Sequence, residues 1–432
     1  MKRYIARHGQ LIERHMLPPE EAAKFPPSEK PLSDLGRCQA RLLGEKMLSL
    51  GFHGKIISSP YYRTLETSQI IADITGSTII PFAPIRERLK EDEVTVVSEF
   101  RGFNLSEIKK LFRSIDTETQ LDERWWCEPD GKAIEEPQER VDERVEAGYK
   151  LIDEKYRDED ILIVSHAAAS HALFKYLKLG REAFEKIPDK RLFLRTAQFN
   201  CSLSVIDTED DDFVPIYCDS SYIPYEKTTS NFTSREEWDM EFFLSEYTKE
   251  ITIPEGFEKA SGTKILHIGD TLSKHFPFFR KLIDTVKPDI ILHTGDMVDE
   301  VKAGRIPSVA YEYRTKLKVM LDIMKASGAR LMIVPGNNDL TDVIRELCPT
   351  AEIYASDTVV EFGGITCRIG HSPVNMHHDK VWSFYGHTLC YDDWNKDNNV
   401  KGGHCRFNCI KGPYVCTTGD GRFYRFETPE HI

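Results

Sequence analysis

The sequence predicts an α/β protein of two domains in tandem, and three observations carry that reading. Its 432 residues exceed what one ordinary core organises. In both halves, short apolar runs end abruptly in charged or imidazole side chains, as the strands of a parallel sheet do where they meet a ligand. Between the halves, from about residue 223 to 262, the hydrophobic pattern gives way to polar, turn-prone chain. The expected bounds are 1–225 for the first domain, 226–261 for a linker holding an amphipathic helix, and 262–432 for the second domain.

Composition narrows the function classes. The chain is 40% hydrophobic and 29% charged, which suits an ordinary globular protein. A net charge of −13 argues against a general nucleic-acid or anionic-membrane binder and leaves room only for a small nucleotide as substrate. No run approaches the ~18 apolar residues of a membrane span, and the first residues show no apolar leader. The ten cysteines are scattered rather than set in a disulfide framework, so a reduced, cytoplasmic location is expected. Cys390, His404, Cys405, Cys409 and Cys416 match no common structural zinc spacing and read as buried thiols.

The first half opens with an apolar strand ending in Arg7-His8-Gly9. An imidazole there can attack phosphorus, the guanidinium can hold phosphoryl oxygens in a planar fork, and glycine permits a tight turn. Residues 17–27, rich in proline, read as a loop. Ser33 caps a helix over Arg37 to Leu48. Lys55 to Pro60 is a short strand ending in small residues and a proline, and a helix follows from Tyr61 to Ile71 with Arg63 in its first turn, where an anion would also meet free backbone N–H groups. In the loop from Pro81 to Leu89, Glu87 between two arginines suits either a surface ion pair or a proton donor to a leaving alkoxide. Helices are expected over 104–114 and 134–156. Asp160 to Ser165 reads as a strand buried on both faces, ending in His166.

Arg7-His8-Gly9, Leu35-Gly36-Arg37, Ser58-Ser59-Pro60 with Arg63, Glu87 and Ser165-His166 stand in the order found in the histidine phosphatase, or phosphoglycerate-mutase-like, superfamily, which residues 1–225 resemble. Asn200-Cys201-Ser202 would start a late strand. The resemblance implies a three-layer α/β/α fold and a reaction that needs no metal or other cofactor. It makes His8 the phosphorylated nucleophile, sets Arg7, Arg63 and His166 around the phosphate, and makes Glu87 the proton donor. Cofactor-dependent mutases of that superfamily carry a Trp-Asn pair where this chain has Glu13-Arg14, and here Glu91-Asp92-Glu93 makes the stretch after Glu87 acidic. Both departures favour hydrolysis of a phosphomonoester over transfer between sugars. The segment 98–137 is expected to cover the site and set substrate choice, with Trp125-Trp126 either stacking on substrate or, the favoured reading, packing as core.

In the second half, apolar runs end at Asp270, Asp296, Asn337, His371 and His387. Oxygen donors and imidazoles gathered at one sheet edge suit a divalent metal. This half resembles the calcineurin-like metallophosphoesterases through Gly295-Asp296 with Asp299, Gly336-Asn337 with Asp339, Gly370-His371 and Gly386-His387. The implied fold is an α/β two-sheet sandwich. The family's opening Asp-x-His is here Asp270-Thr271-Leu272, and its closing Gly-His-x-His is Gly386-His387-Thr388-Leu389. Both missing histidines would serve the same one of two metals. Asp296, Asn337, His371 and His387 are the ligands that survive for the other, with Asp270 as a further candidate. Mn, Fe and Zn all suit such a set. His293, inside a strand, reads as structural; His267, His275, His377 and His378 lie near in sequence.

These readings converge on a phosphatase acting on a phosphorylated small molecule or phosphopeptide, fused to a metallophosphoesterase-fold domain with an altered metal site. Two alternatives stand beside it. In one, both domains hydrolyse phosphoesters; in the other, the second binds a phosphorylated ligand or partner without turnover.

Overall fold

The computed structural model describes residues 1–26, 29–88, 101–126, 136–176, 199–210, 216–375, 377, 382–387, 405–409 and 412–429. Its contacts divide into two compact units, Met1–Arg235 and Glu236–Ile432.

The first unit is built on a six-stranded sheet in the order β3-β2-β4-β1-β5-β6. The strands are β1 (Lys2–Arg7), β2 (Lys55–Ser58), β3 (Ile79–Pro81), β4 (Ile161–Ser165), β5 (Leu203–Asp207) and β6 (Ile216–Asp219). Strands β1 to β4 run parallel, β5 pairs antiparallel with β1, and β6 pairs antiparallel with β5. Side chains alternate across β1, so its two faces feed two cores. Tyr4 and Ala6 pack with Ala40, Leu43 and Met47 of helix α2 (Asp34–Ser49) and Leu65 and Ile71 of α3 (Tyr62–Thr75). Ile5 packs with Val141, Val145 and Ile152 of α5 (Gln138–Lys155) and Ala169 and Leu173 of α6 (Ala167–Tyr176). Helices on both faces give the expected three layers.

Ser33 caps α2 as expected, its side chain accepting the Gly36 N–H at 3.0 Å. The stretch read as a loop over 17–27 contains a short helix, α1 (Pro19–Ala22), because proline at a first helical position carries the right φ and forfeits no bonded N–H. The helix expected over 104–114 is shorter, α4 (Leu105–Leu111), begun by a capping box of Asn104 and Glu107.

The chain passes to the second unit at Arg235, inside the expected linker. The hairpin β7 (Thr229–Ser230) and β8 (Thr233–Ser234) bonds back into the first unit, the Thr229 carbonyl accepting Asn200 N–H at 2.7 Å. Helix α7 (Arg235–Phe243) starts at the boundary, and its last residue packs on Phe276 in the second unit, centroids 5.2 Å apart.

The second unit is a sandwich of two sheets, ordered β12-β11-β10-β9-β17-β18 and β13-β14-β15-β16. The strands run from β9 (Lys264–Ile268), β10 (Ile290–His293), β11 (Arg330–Ile333) and β12 (Glu352–Ile353) to β13 (Thr358–Phe362), β14 (Ile365–Ile369), β15 (Trp382–Tyr385), β16 (Cys405–Asn408), β17 (Tyr414–Thr417) and β18 (Arg422–Arg425). Between the sheets lie Leu292 and Met332 from one and Trp382, Phe384 and Phe407 from the other. The outer face of the larger sheet buries Leu266 and Ile291 under α8 (Phe276–Val286) and α9 (Ala310–Ala326). Helix α10 (Thr341–Leu347) completes the unit.

Candidate functional site

In the first unit, the parallel register aligns the ends of three strands. Arg7 of β1 pairs with Ser165 of β4, and Ser58 of β2 pairs with Val164. His8 and His166 therefore emerge side by side, both buried. The His8 N–H reaches the Ser165 carbonyl at 3.0 Å, and Asn200 Nδ2 donates to the His8 carbonyl at 3.0 Å. Gly9 and Gly36 are required by close approach: a Cβ on Gly36 would lie 2.0 Å from the Gln10 carbonyl oxygen.

The His8 ring is oriented by its own backbone. Nδ1 stands 2.7 Å from the Gly9 carbonyl oxygen, which can only accept, so Nδ1 carries the proton and Nε2 keeps its lone pair. Burial, then Arg63 and Arg7, hold the His8 pKa well below its ordinary value; burial, Arg63 and His8 do the same for His166. Both imidazoles are neutral at pH 7. Arg7 is buried, and burial lowers it to about 10, which still leaves it charged.

Arg63 sits in the first turn of α3. The α3 N-cap, Tyr61, offers no side-chain cap; the buried Glu29 carboxylate instead accepts the Tyr62 N–H at 2.7 Å. The Arg63 guanidinium lies 4.4 Å over the Tyr61 ring. Tyr61 in turn meets His166 edge-on at 5.4 Å and Trp125 at 5.0 Å. The Trp125-Trp126 pair is buried, and Trp125 Nε1 donates to the Phe103 carbonyl at 2.9 Å. The pair is core, the favoured expectation, and Trp125 buttresses Arg63 and His166 through Tyr61.

Glu87 follows a 3₁₀ turn, Ala83–Ile85. Its charge reaches Arg7, whose pKa it raises against the effect of burial. Its loop is held by a buried knot. Glu136 accepts Arg86 at 3.0 Å and both ends of the Arg144 fork at 2.8 and 2.7 Å, while Arg144 also donates to the carbonyls of Pro84 and Arg86. Glu91 to Glu93 lie outside the described residues.

Sequence reasoning missed two supports here. Ser230 and Asn231, assigned to the linker, supply acceptors to the Arg7 guanidinium. Asn200 joins the His8 carbonyl to Thr229 and to the Asn231 N–H. Asn231 has φ 56, a backbone state that favours Asn and Gly, and its place in a polar turn was the one available signal.

In the second unit, Asp270, Asp296, His371 and His387 offer ligand atoms that all lie within 4.8 Å of one another. Asn337 Oδ1 stands 3.1 Å from His371 Nε2. All five residues expected at the metal are thus together. Asp270, Asp296 and His387 each have a left-handed backbone, at φ 49, 52 and 72. Non-glycine residues in that state mark sites where function overrides local preference. Burial pushes the Asp270 carboxyl up to about 7 and Asp296 up to about 6, against the pull of His371. Crowded, desolvated acids of this kind fit a cation. His371 is preset for the same purpose, since its Nδ1 donates to the Thr294 carbonyl at 2.7 Å and leaves Nε2 to coordinate.

The other motif residues are scaffold. Asp339 accepts the N–H groups of Asp296, Met297 and Gly336 and the Tyr313 hydroxyl, at 2.8 to 2.9 Å. His293 is buried, and its Nδ1 accepts the Gly295 N–H at 3.2 Å, the structural role expected of it. His267 is buried against Thr294. His275 and Leu272 line the same cleft as the donors, and His377 is exposed. Thr388, Leu389, Cys390, His378 and His404 lie outside the described residues; Cys409 and Cys416 are buried thiols. No described helix is long and apolar enough to cross a membrane.

Comparison with known proteins falls along the same division. Residues 3–217 match the histidine phosphatase superfamily (branch 1), and residues 263–425 match the calcineurin-like phosphoesterases. The probable phosphoglycerate mutase GpmB of Salmonella arizonae is 29% identical over 224 residues, covering 49% of this chain and 86% of that protein. Among solved structures, the ecdysone phosphate phosphatase of Bombix mori, in complex with tungstate, is 16% identical with a TM-score of 0.36, over 50% of this chain and 91% of that one. YhfR of Bacillus stearothermophilus is 21% identical with a TM-score of 0.33, over 51% and 98%.

Proposed function

Since the chain joins a histidine phosphatase domain to a calcineurin-like phosphoesterase domain, both from families of phosphoric ester hydrolases, we propose that its first domain hydrolyses a phosphomonoester through a phosphohistidine on His8. The observation that carries this is the His8 tautomer, with Nδ1–H fixed on Gly9 and a neutral ring between two guanidiniums. Nε2 attacks phosphorus as the ester P–O bond breaks. Arg7, Arg63 and the His166 imidazole hold the phosphoryl oxygens, where charge develops. Glu87, protonated, gives its proton to the leaving oxygen; ionised, it takes one from the water that cleaves the N–P bond. No metal enters this reaction.

Hydrolysis is favoured over mutase chemistry, despite the mutase name of the GpmB relative, because Glu13 and Arg14 replace the Trp-Asn pair. A screen of sugar phosphates, nucleotides and phosphopeptides tests this. Release of phosphate supports the reading, and phosphoglycerate isomerisation without phosphate release contradicts it.

For the second domain, the reading is a site for one divalent transition metal, Mn, Fe or Zn, held by Asp296, Asn337, His371 and His387 with Asp270 beside them. When bound, such an ion supplies Lewis-acid polarisation of a phosphoryl oxygen. A single ion is favoured because Leu272 lines the cleft where a family ligand would stand. Asn338 also spends lone pairs of Asp296, donating to Oδ1 through its N–H at 2.8 Å and to Oδ2 through Nδ2 at 2.7 Å. The domains are proposed to follow the two compact units, Met1–Arg235 and Glu236–Ile432, with 226–235 belonging to the first rather than to a linker, in a cytoplasmic protein.

A further inference from the structure

We propose that Arg305 is the anion-receiving residue of the second domain's cleft, and that the ligand it receives is a phosphodiester monoanion. The inference rests on the one-metal reading above.

The argument starts from the turn that carries Arg305. After the 3₁₀ turn Asp299–Val301, Lys302 takes a left-handed backbone at φ 55, and its carbonyl then accepts the N–H groups of Arg305 and Ile306 at 2.9 and 3.0 Å. This turn is locked onto the turn that presents Asn337. The Gly304 N–H donates to the Asn338 carbonyl at 2.9 Å, and a Cβ on Gly304 would stand 2.3 Å from the Asn337 carbonyl oxygen. Only glycine permits that approach. The lock sends Lys302 and Arg305 to a cleft of about 670 Å³ that Asp270, Asp296, Asn337 and His387 also line.

The two cations differ in what they have left to give. Lys302 pairs with Asp299, which also accepts Asn338 Nδ2 at 2.9 Å. Among the described residues, the Arg305 side chain has no hydrogen-bond or ion-pair partner, and the residue is exposed at the cleft. Its guanidinium is a planar fork whose geometry matches two phosphoryl oxygens.

Charge balance selects the ligand. Asp270, Asp296 and Asp299 bring three negative charges when ionised. One divalent ion, Lys302 and Arg305 leave a single positive charge over. A phosphodiester, with one negative charge, neutralises it; a dianionic monoester would leave the desolvated cleft negative, at a cost.

The test uses the full chain loaded with Mn(II), with diphenyl phosphate as the diester probe. Titration calorimetry reads binding, and elemental mass spectrometry reads bound manganese. The expected result is binding that requires manganese, since the metal-free first domain has no such requirement. Arg305→Ala should weaken it at least about tenfold, the loss of a charge-assisted hydrogen-bonding group. Arg305→Lys should fall between, and Lys302→Met should cost less than Arg305→Ala. Equal affinity in wild type and Arg305→Ala overturns the inference, as does a loss of affinity that merely follows a loss of manganese. A wild-type chain that binds manganese but no diester overturns the inference and leaves the metal reading standing. A chain that binds no manganese overturns both.

Discussion

His8 and His166 extend from adjacent parallel strands and meet edge to face, their ring centroids 5.2 Å apart, with both rings buried. Burial and the charges of Arg63 and Arg7 hold both pKa values well below the ordinary histidine range. The His8 ring is therefore neutral at pH 7, the form the proposed attack on phosphorus needs.

That relationship predicts a pH profile. A normal nucleophilic histidine would lose activity as pH falls through about 6.5. Here kcat/KM for a phosphomonoester should show no acid limb near that value, because the lowered pKa keeps His8 neutral further down. Arg63→Ala removes one of the two charges that depress it, so in that variant the acid limb should move to higher pH. Its rate should also drop by several kcal/mol of barrier at most, the worth of an arginine clamp on transition-state charge (about 3–4 kcal/mol for a comparable donor). An identical limb in both proteins would show that the charge on Arg63 does not tune His8.

The same depression has a stability consequence with a definite sign. In the unfolded chain, His8 and His166 bind protons below about pH 6.5; folded, they stay neutral. The unfolded state binds more protons, so the stability of the first domain should fall as pH drops below that value. Urea unfolding of wild type and His166→Gln at pH 7.5 and pH 5.5 checks this. The wild type should lose more stability between the two than the variant does.

In the proposed reaction Glu87 acts on the leaving group. Glu87→Gln should slow hydrolysis of an alkyl phosphate by about 10²–10⁴ and affect 4-nitrophenyl phosphate much less, since an aryl oxide leaves without a proton. Equal losses on both substrates would assign Glu87 to structure.

Glu136 holds the loop that presents Glu87. Glu136→Gln leaves the buried Arg86 and half-buried Arg144 guanidiniums without their counter-charge, a change that costs up to about 3–5 kcal/mol where a buried pair is broken. Urea unfolding should register that cost. Rates measured where the variant is still folded should repeat the leaving-group dependence of Glu87→Gln. A stability loss with a uniform rate change would limit Glu136 to folding.

The sequence carried the chemistry better than the boundaries. Arg7, His8 and His166, and the five donors of the second unit, were legible because each ends an apolar run beside a glycine or small residue, which is how parallel strands deliver side chains to a sheet edge; Arg63, in a helix's first turn, and Glu87, in a loop, were picked out only by the order of the motifs around them. The short returning strands β17 and β18 were not, since Tyr414–Thr417 and Arg422–Arg425 are four residues each and their place in the sheet depends on β17 pairing with distant β9. Ser230 and Asn231 were hidden for a similar reason. Their role depends on a hairpin folding back more than 220 positions to Arg7, and polar turn residues look alike whether they float or dock. The Glu136 knot left no local signal either, because its partners Arg86 and Arg144 lie 50 and 8 residues away.

For the metal site, the wild-type chain should carry one equivalent of transition metal. Leu272→His with Leu389→His should raise that toward two and increase diester hydrolysis, as two-metal sites activate both the attacking and the leaving oxygen. Chelation should abolish any diesterase activity and leave phosphomonoester hydrolysis untouched. Two equivalents in the wild type would mean that another residue replaces the missing histidines.

The most direct measurement is to trap the covalent intermediate. The full chain is mixed with a ³²P-labelled phosphomonoester, quenched in base, where phosphohistidine survives, and digested for mass spectrometry. The account predicts label on the peptide holding Arg7-His8-Gly9, lost on brief acid treatment, absent from His8→Ala and unaffected by chelators. Label on another residue, or full monoesterase activity in His8→Ala, would contradict it.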